Sequence, residues 1–253
     1  MPNPTRAFAA ALLALASLTV SACLPLELDE LPPILAEPQE PTAPSGSMPP
    51  PSSGGSALAA LVQLPVKGRA AKTGYERALF GQAWLDTDRN GCDTRNDVLR
   101  RDLTAEVLKP GTNGCVVLSG TLEDPYTGQT IDFVRGSGTS TAVQIDHVVA
   151  LSDAWQKGAQ QWSGATRATF ANDSLNLLAV DGPTNQSKGD GDAATWLPAR
   201  SYRCAYAARI VAVKKAYGLW LTAAERDALA GILAGCPTQA LPQRRAFVLG
   251  VAS

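Results

Sequence analysis

Histidine is almost missing from this chain, since 253 residues contain only one, His147. No second imidazole can therefore replace His147 as a proton acceptor near neutral pH. The five cysteines include no Cys-x-x-Cys pair, which removes the usual ligand spacing of a structural zinc site. The sequence also contains no internal repeat, which argues against a solenoid or propeller.

A strong excess of positive charge is lacking as well, because the formal net charge is −1. Arg6 and five acidic residues lie before residue 57. Without them the chain keeps 21 of its 22 basic and 18 of its 23 acidic residues, about +3 in total. This charge permits a phosphate-bearing substrate but does not indicate a broad basic surface for nucleic acid. The five acids are Glu27, Asp29, Glu30, Glu37 and Glu40.

The apolar run at residues 7–20 is too short for a confident membrane span, and with Arg6 before it the run predicts a secretory signal. The run ends in Val-Ser-Ala-Cys, which resembles a bacterial lipobox and implies cleavage before Cys23 with acyl chains on that cysteine. Ordinary secretion, with cleavage near Ala22, is the alternative. Both predict a protein outside the cytoplasm, either secreted or held in the cell envelope.

Three regions follow from this organisation. Residues 1–22 are the predicted signal, and residues 23–56 are a predicted tether, because their richness in Pro, Ser, Gly and acids disfavours a packed core. Residues 57–253 are long enough to form one domain with a real hydrophobic core.

The stretch 144–190 holds the residues best suited to chemistry. A predicted strand at 143–145 leads directly into Asp146 and His147, and a second apolar strand is predicted at 177–180. Pro183 is a favourable residue for the first turn of a helix. The predicted order is strand, strand, helix.

Residues Asn185 and Lys188, three positions apart, would share one face of that helix. A carboxylate on Asp146 and a carboxamide on Asn185 can hold one hard cation such as Mg²⁺, which keeps several of its waters. His147 can then take a proton from an attacking water at neutral pH. Such a combination is typical of phosphodiester hydrolysis.

The Asp-His pair, the later Asn-Leu-Leu at Asn176 and the Asn-x-x-Lys-Gly-Asp that follows resemble the HNH (ββα-metal) endonuclease superfamily. The resemblance implies an α+β fold with a ββα-metal core, in which His147 is the general base and Asp146 and Asn185 bind Mg²⁺, with Mn²⁺ as an alternative. It also implies that Asn176 braces the hairpin and that Lys188 lies near phosphate. The chain departs from many family members in lacking Cys-x-x-Cys knuckles and in carrying a helical insertion between Asp146 and Asn176.

The loop at 86–97 has two interpretations. Its first six residues fit the start of an EF-hand calcium loop, but Asp97 stands where Glu is usual and Asp93 where an apolar residue belongs. A similar Cys-Asp-Thr-Arg-Asn segment occurs in secreted bacterial proteins with an HNH-like core. That resemblance implies that Asp93, Arg95 and Asn96 border the active site, with Arg95 contacting phosphate. A polar loop pinned by a disulfide is the structural alternative.

Other segments predict the rest of the domain: a helix at 75–85, a hairpin from strands 115–122 and 130–134, and helices at 148–159 and 202–217. A capping box at 222–225 predicts a last helix that Gly235 ends. Besides Cys23, four cysteines remain, and they allow three pairings. Cys204 and Cys236 would meet if the last two helices form an antiparallel hairpin, which leaves Cys92 with Cys115.

The sequence therefore predicts an exported, membrane-tethered, metal-dependent endonuclease, with DNA favoured over RNA as substrate and no obligate protein partner. Two alternatives stay open. One is a non-catalytic surface lipoprotein that binds calcium or nucleic acid. The other is a phosphoesterase that cleaves only small diesters.

Overall fold

The computed structural model describes residues 56–244, which form a mixed α+β domain with two small antiparallel sheets. Among these residues no helix is both long and apolar enough to span a bilayer. The predicted signal, the tether and Cys23 lie outside the described residues. The elements are α1 (Ala57–Leu61), α2 (Thr94–Asp102), β1 (Leu103–Leu108), β2 (Val117–Glu123), β3 (Thr130–Val134), β4 (Val143–His147), α3 (Leu151–Gln156), α4 (Gly164–Ala171), β5 (Leu177–Asp181), α5 (Gly182–Lys188), α6 (Arg203–Tyr217) and α7 (Ala223–Ala234).

The first sheet has the order β1-β2-β3, with both pairs antiparallel. Helix α2 leads into it and begins where the Asp93 carboxylate accepts a hydrogen bond from the backbone N–H of Asn96. A small core lies between α2 and the sheets. It contains Val98, Leu99, Leu103, Val117, Leu122, Phe133, Val143, Ile145, Leu177 and Ala179.

The second sheet is the antiparallel hairpin of β4 and β5, in which Asp146 lies opposite Leu178 and His147 opposite Leu177. Alternate residues of β5 face different cores, since Leu177 and Ala179 belong to the small one and Leu178 and Val180 to the larger one. Burial on both faces explains why this strand is a continuous apolar run. Helix α5 follows at once, as predicted from Pro183.

The larger core is helical and is centred on α6, whose buried residues include Tyr206, Ile210 and Val213. Helix α7 begins at Thr222, whose hydroxyl accepts from the N–H of Glu225, and Gly235 follows its last turn. Two disulfides are present, Cys92–Cys115 and Cys204–Cys236. These are the two pairs that the sequence predicts.

A cluster of six charged side chains, the ion cluster, lies between α3, α6, α7 and the segment after α5. The Lys157 ammonium contacts the carboxylates of Asp153 at 2.6 Å, Asp192 at 2.8 Å and Glu225 at 2.7 Å. Burial alone would lower the pKa of Lys157, but these carboxylates raise it above its ordinary value. Three cations thus face three anions. The members are Arg69, Asp153, Lys157, Asp192, Lys214 and Glu225.

Two predictions about local structure are wrong. Residues 75–85 do not form one helix but a single 3-10 turn, Arg77–Phe80, because the chain takes left-handed conformations at Gly81 (φ 79°) and Trp84 (φ 61°). Leu79 is exposed rather than in the core, whereas Phe80 is buried. The predicted helix at 148–159 is shorter, because the chain makes a turn at 148–150 before α3 begins at Leu151.

Candidate active site

Helix α5 covers one face of the β4–β5 hairpin. It begins where the Asp181 carboxylate accepts from the N–H of Thr184, and it runs back over β4. The Asn185 amide donates to Gln144 Oε1 at 2.9 Å. One turn later Lys188 contacts Asp146. Gln144 and Asp146 are two positions apart, so they share the strand face that α5 covers.

Asp146 is buried and already has two partners. The hydroxyl of Tyr126, in the turn between β2 and β3, donates to Asp146 Oδ2 at 2.5 Å. The Lys188 ammonium lies 3.1 Å from Oδ1 and 3.0 Å from Oδ2, and it also donates to the carbonyl of His147 at 3.0 Å. The negative charge of Asp146 is thus paired inside the protein.

Adjacent His147 makes its contacts with other elements. Its Nε2 lies 2.8 Å from the carbonyl oxygen of Ala171, the last residue of α4. A carbonyl can only accept, so Nε2 carries the proton and Nδ1 keeps its lone pair. Burial lowers the pKa of His147 to about 4, against smaller raising effects of the Ala171 carbonyl and Asp146. The imidazole is therefore neutral at pH 7, with Nδ1 able to accept a proton.

Asn176, completely buried, ties the start of β5 to the chain just after His147. Its Oδ1 accepts from the N–H of Val149 at 2.8 Å, its Nδ2 donates to the Val149 carbonyl at 3.2 Å, and its own carbonyl accepts from the N–H of Val148. These bonds fix the turn that follows His147. Asn176 thereby holds the backbone next to His147 from a fully buried position.

A cavity of about 30 Å³, enough for a water molecule, lies beside His147. Its outer wall is the segment from the Arg77 turn to Trp84, and most of that wall is exposed, so the cavity opens to solvent. Arg77 is not among the predicted site residues, and its only signal in the sequence is that it is the one basic residue between Gly74 and Gly81. The lining residues are Arg77, Phe80, Gly81, Gln82, Ala83, Trp84, His147, Leu151 and Ala171.

The described conformation does not fit the predicted metal pair of Asp146 and Asn185. A divalent ion at Asp146 would lie where the Lys188 ammonium now balances the carboxylate. Among residues 56–244 no three His, Cys, Asp or Glu side chains converge on a common point. The Lys188 side chain is fully buried on Asp146, so the predicted contact with phosphate would require the ammonium to leave that carboxylate.

The two predicted substrate contacts in α2 lie elsewhere. The Arg95 guanidinium is directed at the Val143 carbonyl, at 3.3 Å, at the other end of β4 and four residues, or about 13 Å, from His147. Asn96 is buried, and its Oδ1 accepts from the Val117 N–H and from Arg135. Asn96 therefore joins α2 to the first sheet in the described conformation, and its role in binding substrate stays a prediction.

The acidic loop at 86–97 is held by its own hydrogen bonds. Both oxygens of Asp86 accept from backbone N–H groups, those of Asn90 and Gly91, and the Asn90 amide donates to Asp97 at 3.0 Å. Burial raises the pKa of Asp97 to about 6. The acidic side chains of the loop are thus engaged by donors of the loop itself, and among residues 56–244 no three His, Cys, Asp or Glu side chains are placed to hold a metal ion together.

Comparison with known proteins identifies the family. Residues 93–232 match the family described as GmrSD restriction endonucleases, C-terminal domain, which confirms the HNH resemblance. The chain is also 39% identical over 187 residues to an "Uncharacterized secreted protein" of Arthroderma benhamiae, an alignment that covers 73% of this chain and 86% of that protein. No solved structure matches the chain. The match spans more than half of the chain, which therefore belongs to the family of GmrSD restriction endonuclease C-terminal domains.

Proposed function

We propose that this protein is an exported endonuclease that hydrolyses phosphodiester bonds of nucleic acid, with His147 as general base. The observation that carries the proposal is the state of His147: a buried, neutral imidazole with Nε2–H fixed on the Ala171 carbonyl, beside a solvent-open cavity large enough for a water. Membership of an endonuclease family supports nucleic acid as the substrate.

The chemistry assigned to the chain is a single proton transfer. Nδ1 of His147 takes a proton from a water as the water oxygen attacks phosphorus; the bond from phosphorus to the 3′ oxygen breaks, and that oxygen leaves with the bonding pair and takes a proton from solvent. The Ala171 carbonyl holds the ring in one orientation and stabilises the imidazolium that forms. Asn176 keeps the turn after His147 in place. A positioned general base of this kind contributes about 10²- to 10⁴-fold to the rate.

A divalent ion is implied by the HNH resemblance, but no step is assigned to one because Asp146 is paired with Lys188 in the described conformation. We therefore propose a ββα-metal core formed by β4, β5 and α5, and the support for it is the order in which these elements occur along the chain. Asp146 and Asn185 stay as proposed ligands only for a state in which Lys188 has moved away from the carboxylate.

Export is supported from two sides. The relative in Arthroderma benhamiae is named a secreted protein, and the two disulfides suit an oxidising compartment. We propose that Cys23 is acylated and that residues 23–56 tether the nuclease domain to a membrane; this part of the chain lies outside the described residues.

The test compares the purified full chain with His147→Ala on supercoiled plasmid, linear DNA and RNA, each with Mg²⁺, Mn²⁺ or a chelator. Nicking and linearisation by the unsubstituted protein, with a loss of about 10²- to 10⁴-fold in His147→Ala, is the expected result. Equal rates for the two proteins would refute the general base. Binding without cleavage would favour the non-catalytic lipoprotein, and turnover of small diesters alone would favour the phosphoesterase.

A further inference from the structure

Arg77 lies in the wall of the His147 cavity, and among the described residues its side chain has no hydrogen-bond or ion-pair partner. It begins the 3-10 turn Arg77–Phe80, its side chain is exposed, and it lines the same cavity as the imidazole. Across the described range, 56–244, it makes no hydrogen bond and no ion pair. The guanidinium therefore joins no two elements of the described fold.

The turn that carries Arg77 is nevertheless firmly held. Phe80 is buried in the larger core and packs against Phe170 of α4, with ring centroids 6.2 Å apart. The Leu79 carbonyl accepts from Arg167 at 3.0 Å, and the Leu85 N–H donates to Asn172 Oδ1 at 3.0 Å. Both partners belong to α4 or its C-terminal cap. Since α4 also supplies the carbonyl that contacts His147, one helix holds both the turn that carries Arg77 and the imidazole.

The charges around the cavity leave one positive charge uncompensated. Besides Arg77, which lines the cavity, the charged side chains near His147 are those of Asp146, its neighbour in the chain, and Lys188, which donates to the His147 carbonyl. The Lys188–Asp146 pair cancels within itself at 3.0 Å, which leaves Arg77. A phosphodiester carries one negative charge, and a guanidinium presents paired donors that match two phosphate oxygens. A cavity with one free guanidinium beside a neutral base therefore has the charge and the donors for a single phosphodiester.

We propose that Arg77 binds the phosphate of the nucleic acid at the His147 cavity and so positions it for hydrolysis. This inference rests on the proposed endonuclease function and specifies its substrate-binding group. It replaces Arg95, the predicted phosphate contact, which lies at the opposite end of β4.

Two experiments test this assignment. In a His147→Ala background, which prevents cleavage, binding of a fluorescent DNA oligonucleotide is measured by anisotropy across a range of salt concentrations, with and without Arg77→Ala. Loss of one phosphate contact should weaken binding about equally for unrelated sequences and reduce the salt slope by about one. With His147 present, Arg77→Ala should lower kcat/KM by about 10- to 100-fold, as expected for loss of a charged hydrogen bond.

Matched variants separate a phosphate contact from general charge. Arg226→Ala removes an exposed arginine of α7 that is paired with Asp227 and does not line the cavity, and it should leave binding and slope unchanged. Arg77→Lys keeps the charge but not the paired donors, so it should retain the slope and lose part of the rate.

The possible outcomes are distinct. An unchanged affinity and slope in the Arg77→Ala, His147→Ala protein would overturn the Arg77 assignment, even if the unsubstituted protein cuts DNA. A reduced slope in a protein that shows no cleavage would support Arg77 as the phosphate contact and overturn the endonuclease proposal.

Discussion

Lys188 and Asp146 form a buried ion pair, with the ammonium 3.0 Å from carboxylate Oδ2 and the Lys188 side chain fully shielded from solvent. Both residues were predicted to serve the reaction, Asp146 as a metal ligand and Lys188 beside phosphate. In the described conformation each neutralises the other. A divalent ion that binds Asp146 would therefore have to compete with the Lys188 ammonium for this carboxylate.

Lys188→Met tests this competition. Removing the ammonium leaves Asp146 buried and uncompensated, which should destabilise the metal-free protein by about 3–5 kcal/mol. Mn²⁺ should then recover part of the loss in Lys188→Met and stabilise the unsubstituted protein less. Urea unfolding with Mn²⁺ or with a chelator measures both effects.

The control is Lys188→Met combined with Asp146→Asn, which removes both charges and should abolish the response to Mn²⁺. If Mn²⁺ stabilises Lys188→Met and this double variant equally, the ion binds elsewhere and Asp146 is not a ligand.

His147 should make the folded state sensitive to acid. Burial lowers the pKa of His147 to about 4, whereas its pKa in the unfolded chain is about 6.5. Between these two pH values the unfolded state therefore binds more protons than the folded state. Its contribution to stability is therefore complete above about pH 6.5 and is lost as the pH falls toward 4, by a total on the order of 3 kcal/mol. Urea unfolding at several pH values from 7 to 4 measures the decline.

His147→Gln provides the comparison, because a glutamine amide can still donate to Ala171 but does not titrate. Asp97, whose pKa is raised to about 6, affects both proteins equally and drops out of the difference. Parallel pH profiles for the two proteins would show that His147 is not buried as neutral imidazole.

Two asparagines should differ in what they support. Asn176→Ala leaves the N–H and carbonyl of Val149 buried without partners, and we expect a loss of about 2–4 kcal/mol. Asn185→Ala removes one bond to Gln144 on a partly exposed surface, and the expected loss is about 1 kcal/mol. Urea denaturation measures both, and a larger loss for Asn185→Ala would contradict the bracing role of Asn176.

Acylation of Cys23 is the proposed means by which the protein is held at a membrane after export. If it is acylated, Cys23→Ser should move the protein from the membrane fraction to the medium while the purified protein keeps its activity. Fractionation followed by immunoblotting measures the distribution. An unchanged distribution would favour ordinary secretion with cleavage near Ala22.

The local parts of the site could be predicted from the sequence. Residues 177–180 form a run of apolar residues long enough for one buried strand, and Pro183 marks the helix behind it; both predictions agree with β5 and α5. The cysteine pairs also follow from short-range arguments, since each closes a loop of 23 or 32 residues.

The contacts between distant segments could not be predicted. Arg77 comes within reach of His147 only because Phe80 and Leu79 attach its turn to α4, and Tyr126 reaches Asp146 from a separate hairpin. Lys188 has the spacing of a solvent-facing residue, and its burial depends on how α5 packs on β4. The prediction of a helix at 75–85 was wrong because the spacing of apolar residues does not reveal the left-handed conformations at Gly81 and Trp84.

The ion cluster restricts how this family member can change over generations. Lys157 contacts three carboxylates that come from α3, from the segment after α5 and from α7. A substitution of Lys157 alone leaves negative charge unpaired in the interior, and a substitution of any one carboxylate leaves positive charge unpaired. Each would destabilise the folded state by several kcal/mol. We therefore expect the six positions to vary together among natural variants of this protein: all six charged residues are kept, or all six are replaced by apolar residues.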